Sequence, residues 1–96
     1  MNRIDQSFNR LRATRRAALM PYLPLGYPTL EVSARLIRAV ADAGANLIEL
    51  GVPFSDPIAD GPVNQRAGLR ALAHGMGLGP ALGLVSRLRR RTEVPL

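Results

Sequence analysis

The sequence predicts an α/β protein built on parallel strands, and three observations carry that prediction. Apolar runs of strand length alternate with stretches of helical apolar spacing, the connections between them are short and rich in Gly and Pro, and the strand–loop–helix unit recurs. Strands separated by helices over short connections lie parallel and are joined by right-handed crossovers.

Taken in order, Ile4, Phe8 and Leu11 recur at i, i+4 and i+7 among polar residues, which predicts a short amphipathic helix over the first dozen residues with that face docked. "AALMPYLPL", Ala17 to Leu25, predicts the first strand, with its extent left open by Pro21 and Pro24, which sit badly in an open ladder. In "GYPT", Gly26 and Pro28 make a turn and Thr29 is placed to cap a helix. Val32, Leu36, Ile37 and Val40 mark that helix until Gly44 ends it. The unit then repeats. "ANLIELGV" is the second strand and "PFSDPIADGP" its loop, followed by a helix through Leu69, Leu72, Ala73 and Met76. After "GMGLGP" a further helix carries Leu82, Val85 and Leu88, and "TEVPL" begins a third strand. Two or three such strands do not cover both faces of a parallel sheet, so the expectation is the first third of a larger α/β protein, incomplete at its C-terminus.

Composition excludes several classes of function. With 96 residues there is room for one small domain of thin stability. The absence of cysteine removes disulfide frameworks, thiolate metal sites and cysteine nucleophiles. No apolar run approaches the ~20 residues that cross a bilayer, and the polar, basic N-terminus does not read as a signal peptide, so a cytoplasmic protein without membrane contact is expected. All 13 basic residues are arginine, against 7 acids, and they cluster towards the two ends. A nucleic-acid surface is one reading of them. The preferred one puts them on the solvated faces of helices, because four aromatic residues without basic interleaving make a poor stacking platform for bases.

The chemistry-bearing residues fall in "LIELGVPFSDPIADG". In a strand, Leu47, Glu49 and Gly51 share one face while Ile48 and Leu50 share the other. If Ile48 and Leu50 pack beneath helices, Glu49 points to the opposite face, which in a closed barrel is the interior; an unpaired carboxylate there carries a penalty of roughly several kcal/mol and is tolerated mainly at functional sites. An edge strand with Glu49 in water is the alternative. Asp56, before Pro57, suits turn initiation, and Asp60 is placed to cap the next helix; both also suit the loop after a barrel strand, where such folds keep their active sites. A metal site is not expected, because no histidine or further acid completes a shell. His74, before "GMG", reads as a helix C-cap and not as a catalytic group.

"IELGVPFSDPIADGP" resembles the signature segment of the tryptophan synthase alpha subunit family, and "MPYLPLGYPT", "AGANLIELG" and "VNQRAGLRALAHG" extend the likeness over nearly the whole chain. The resemblance implies the N-terminal segment of a (β/α)8 TIM barrel, about its first two to three βα units after a short helix, with residues 1–96 one partial domain. It implies a lyase of tryptophan biosynthesis that cleaves indole-3-glycerol phosphate to indole and glyceraldehyde 3-phosphate by a retro-aldol reaction. No metal or organic cofactor is implied in this chain; pyridoxal phosphate belongs to a beta subunit that pairs with it as two alpha and two beta chains. By position, Glu49 is the general acid/base and Asp60 the carboxylate facing the indole nitrogen. Tyr22 lines the indole pocket, and Pro53, Phe54, Ser55, Asp56 and Pro57 form the loop that meets the beta subunit. Pro24 stands where the family more usually has a small or hydroxylated residue, so a change in the first loop is expected. The loops that hold the substrate phosphate are not among these residues, and the chain alone is expected to be inactive and poorly folded. A truncated chain that only binds the beta subunit, and a different barrel lyase acting on a phosphorylated sugar, are the alternatives.

Overall fold

A computed structural model describes all residues 1–96. The chain runs α1 (Arg3–Ala13), β1 (Tyr22–Pro24), α2 (Leu30–Asp42), β2 (Glu49–Gly51), α3 (Pro62–Ala73) and α4 (Leu78–Leu88). β1 and β2 are parallel, with Tyr22 opposite Glu49, Leu23 opposite Leu50 and Pro24 opposite Gly51. The predicted alternation of strand and helix is therefore present.

Both strands are shorter than the apolar runs that contain them. Pro21 has no N–H to give to a ladder, so residues before Tyr22 meet the second run through isolated bonds: the Asn46 N–H donates to the Leu19 carbonyl at 3.0 Å and the Glu49 N–H to that of Pro21 at 2.9 Å. Pro24 lies in β1 and not in the loop that follows. Because the Leu25 N–H donates to Gly51 O at 2.8 Å, the Pro24 nitrogen faces the edge of β1 away from β2, where a missing donor is tolerated. On the far side of β2, the Ile48 N–H donates to Pro95 O at 2.9 Å. The Val94–Leu96 stretch thus lies where a third strand belongs, beside β2 and opposite β1.

The helices cover one sheet face. Leu25, Ile37, Ile48, Ala71, Met76 and Leu84 are buried in one cluster, and Leu23 and Leu50 pack against it from the strands. Tyr22 and Glu49 occupy the other face, and both are exposed. Thr29 caps α2 as expected, its side chain accepting from the Val32 N–H at 3.3 Å, and Gly44 follows that helix at φ +110°.

Several apolar residues marked by periodicity face outward instead. Ile4 and Phe8 are exposed, and α1 docks by Ser7 and Leu11, with the Ser7 hydroxyl donating to Asn46 O at 3.2 Å. Leu36, Leu69 and Leu82 are also exposed, while the buried stripes run through Ser33, Ile37 and Ala41 on α2, Ala71 on α3, and Ala81, Leu84 and Leu88 on α4. Small residues let the helices approach closely, so contact follows the Ala and Ser positions and leaves the larger neighbours at the margin. Not all arginines line a solvated face: Arg3 donates to Thr92 O at 2.9 Å and to Arg89 O at 3.1 Å, tying α1 to the end of the chain.

Gly26 makes the β1–α2 turn possible. Its φ is +85°, its N–H donates to the buried Ser33 hydroxyl at 3.0 Å, and a Cβ would lie 2.9 Å from Met76 Cβ. Gly26→Ala combines a left-handed backbone with a clash against the core, and a loss of about 2–4 kcal/mol is expected. Urea unfolding of a full-length barrel carrying these residues checks this; a loss below about 1 kcal/mol would mean that the turn relaxes freely.

Candidate functional site

The bare sheet face and the loop after β2 bring three of the expected residues together. Glu49 projects from β2 beside its cross-strand partner Tyr22. The Tyr22 ring lies over Gly51, where a Cβ would fall on the phenol ring and hydroxyl, so the absence of a side chain at Gly51 gives the ring its place. This aims the phenol at the C-terminal end of the strands, towards the loop that carries Asp60. Partial burial, then the charge of Asp60, then that of Glu49 raise the Tyr22 phenol above its ordinary 10.0.

The native state holds the Tyr22 proton more firmly than the unfolded chain does, so between the unfolded and folded midpoints stability falls as pH rises, and its full contribution is present below the unfolded value of about 10. In a full-length barrel carrying these residues, titration of a carbon-13-labelled Tyr22 ring is expected to show a lower midpoint in Glu49→Gln and in Asp60→Asn, the larger fall in Asp60→Asn. Unchanged midpoints would separate the carboxylates from the phenol.

Glu49 makes no ion pair or side-chain hydrogen bond. Its side chain is exposed in the chain, so the expected penalty of a buried carboxylate does not arise: the face it occupies is open. Asp60 does not cap the next helix. The N-cap of α3 is Gly61, with no side-chain bond and with Pro62 in the first turn, and the Asp60 carboxylate is left free of helix duties. Asp56 is exposed and makes no hydrogen bond from its side chain. His74 is the C-cap of α3, its Nδ1 2.8 Å from Arg70 O; with 12 residues in that helix, it stands about 18 Å along the axis from the Asp60 end. No three His, Asp and Glu side chains converge as metal ligands would. An open groove between α2 and α4, bordered by Arg35, Arg38, Arg87 and Arg90, includes none of the candidate residues.

The loop itself is apolar at its surface. Phe54 is 65% exposed and Ile58 96%, with Val52 and Val63 at its two ends also exposed. Pro53 and Pro57 are partly buried beneath, and Ser55 and Asp56 face solvent. Sequence reasoning missed Gln65. From the first turns of α3 its side-chain N–H2 reaches back to the loop carbonyls of Pro57 and Asp60, and only its place shortly after "DGP" hinted at such a bond.

Residues 8–96 match the family model described as tryptophan synthase alpha chain. Proteins named tryptophan synthase alpha chain from Methylibium petroleiphilum and Chloroflexus aggregans are each 50% identical to this chain, over 97% and 100% of its length. The chain spans about a third of the length of these curated relatives, 34% and 36%. Among solved structures, tryptophan synthase subunit alpha from Legionella pneumophila superposes with a TM-score of 0.94 at 45% identity, over 99% of this chain and 37% of that one. A tryptophan synthase from M. tuberculosis, in an open form with BRD0059 bound, gives 0.86 at 39% identity over 93% and 36%. The helix and strand arrangement is thus that of about a third of a (β/α)8 barrel. Half the residues identical across nearly the whole chain, with the same fold, leave one assignment: the chain belongs to the tryptophan synthase alpha chain family.

Proposed function

We propose that residues 1–96 supply the acid–base half of an active site that cleaves indole-3-glycerol phosphate into indole and glyceraldehyde 3-phosphate, as part of one (β/α)8 domain of the relatives' length. The observation that carries the reading is the pairing of Tyr22 with Glu49 on the open sheet face, with the Tyr22 ring reaching over Gly51 towards the loop that carries Asp60, at the C-terminal end of the strands where barrels do their chemistry. The reaction delivers a proton to indole C3, removes the proton of the adjacent glycerol hydroxyl, breaks the carbon–carbon bond and passes through a cationic ring nitrogen. Glu49 is assigned the proton transfers, Asp60 accepts the indole N–H bond and stabilises the cation, and the Tyr22 ring lines the planar pocket. Carboxylates suffice for these steps, and no metal or organic cofactor is assigned to this chain.

Pro53 to Pro57, with the exposed Phe54, are assigned to contact with a beta subunit, which holds pyridoxal phosphate and completes an assembly of two alpha and two beta chains. Desolvating such apolar side chains favours association. Nucleic acid and membrane have no part in the reading. No helix is long and apolar enough to cross a bilayer. A cytoplasmic setting suits a cysteine-free biosynthetic enzyme.

The test joins residues 1–96 to the remaining two-thirds of the Methylibium petroleiphilum alpha chain and measures indole released from indole-3-glycerol phosphate, with and without beta subunit. Release that beta subunit stimulates is expected. A folded hybrid that binds beta subunit but releases no indole would leave a binding module in place of an enzyme segment.

A further inference from the structure

We infer that Gln65 is a positioning residue that holds Asp60 over the candidate site by pinning the β2–α3 loop to the helix that follows it. The inference rests on the proposed role of Asp60. One residue makes three bonds to the loop: its backbone N–H donates to Gly61 O at 3.0 Å, and its side-chain nitrogen to Pro57 O at 3.2 Å and Asp60 O at 2.7 Å. Both side-chain partners are carbonyls, so only the N–H2 end of the carboxamide serves, which fixes its orientation on chemical grounds.

The loop needs such a pin. Its own side chains make no hydrogen bonds to the rest of the fold, Phe54 and Ile58 are solvent-exposed, and Gly61 offers α3 no side-chain cap. Apart from the covalent chain, Gln65 is therefore what holds residues 57–61 in place by side-chain bonding. The Asp60 carbonyl it binds belongs to the same residue as the carboxylate, so the bond restrains the backbone that carries that carboxylate. Methionine at this position keeps the length and volume of the side chain and removes both donors.

The experiment reads Tyr22 directly. In the hybrid barrel with carbon-13-labelled tyrosine, titration of the Tyr22 ring signal, assigned by its loss in Tyr22→Phe, is compared for the parent, Asp60→Asn, Gln65→Met and the double variant, with Gln65→Ala as a second variant should methionine disturb the helix. Far-ultraviolet circular dichroism confirms folding in each. The expected result is a lower Tyr22 midpoint in Gln65→Met, in the same direction as Asp60→Asn, and no further fall when Gln65→Met is added to Asp60→Asn. A contribution to helix stability alone would lower the urea midpoint and leave the titration where it was. If Asp60→Asn lowers the Tyr22 midpoint while neither Gln65 variant does, the inference is overturned. If Asp60→Asn has no effect either, Asp60 does not stand over Tyr22 and the inference falls with it. In the hybrid barrel, Gln65→Met is expected to lower kcat with KM little changed; an active parent whose kcat survives Gln65→Met overturns the inference and spares the proposed function. An inactive, folded parent sinks that function, and the titration still decides whether Gln65 positions Asp60.

Discussion

Glu49→Gln in the hybrid barrel is expected to lower turnover about 10²–10⁴-fold while leaving KM near the parental value, because the carboxamide keeps the shape and hydrogen-bonding reach of the acid but neither gives nor takes a proton. The chain makes this residue available for such work. Glu49 has no side-chain partner in the fold, and its neighbours in sequence, Ile48 and Leu50, are committed to the core. Nothing in the fold depends on its charge, so the variant should unfold at the same urea concentration as the parent. Steady-state indole release over a range of substrate concentrations separates the two parameters. Near-parental turnover would remove Glu49 from the mechanism, and a rise in KM alone would make it a binding group.

Asp60→Asn is expected to cost about 10²–10³-fold in kcat, the size typical of losing one preorganised electrostatic partner of a charge that develops in the transition state. Asparagine still accepts a hydrogen bond from an indole N–H, so ground-state binding should hold; what it lacks is the negative charge opposite a cationic ring. An indole analogue whose ring nitrogen carries no hydrogen should bind parent and variant alike. If Asp60→Asn weakened substrate binding and spared kcat, Asp60 would be a specificity contact and the charge would have to be met elsewhere.

Much of the fold was legible in the sequence because punctuation and period act locally. Thr29 caps α2, Gly44 follows its end, and His74 closes α3, each by bonds to neighbours a few residues away. The strand face of Glu49 followed from alternation alone, and Ile48 and Leu50 did go beneath the helices. Helix stripes were read less well. Counting large apolar residues favoured Leu69 and Leu82, but the packed surfaces run through Ala71 and Ala81, where a small side chain lets backbones come close. Ser7 and Ser33 are buried for a reason periodicity does not register: each hydroxyl bonds a distant backbone group, Asn46 O and the Gly26 N–H.

The same division holds at the site. Glu49, Asp60 and Tyr22 stood out by residue type and by the likeness of the surrounding segment, and their placement is a matter of strand register and loop path. Gln65 was illegible, since a glutamine in the first turns of a helix is ordinary and its two acceptors are backbone carbonyls without sequence identity. The bland reading of Asp60 as a helix cap failed for a local reason as well: Gly61 takes the N-cap place, which leaves the carboxylate one residue too early.

A crystal structure of the hybrid barrel with indole-3-glycerol phosphate bound would show where the two carboxylates stand against the reacting atoms. The Asp60 carboxylate is expected within hydrogen-bonding distance of the indole nitrogen, about 2.6–3.2 Å, the Glu49 carboxyl within the same reach of the glycerol hydroxyl beside C3, and the Tyr22 ring against the indole. Substrate seated in the barrel with neither carboxylate in reach of the reacting atoms would contradict the roles assigned to them.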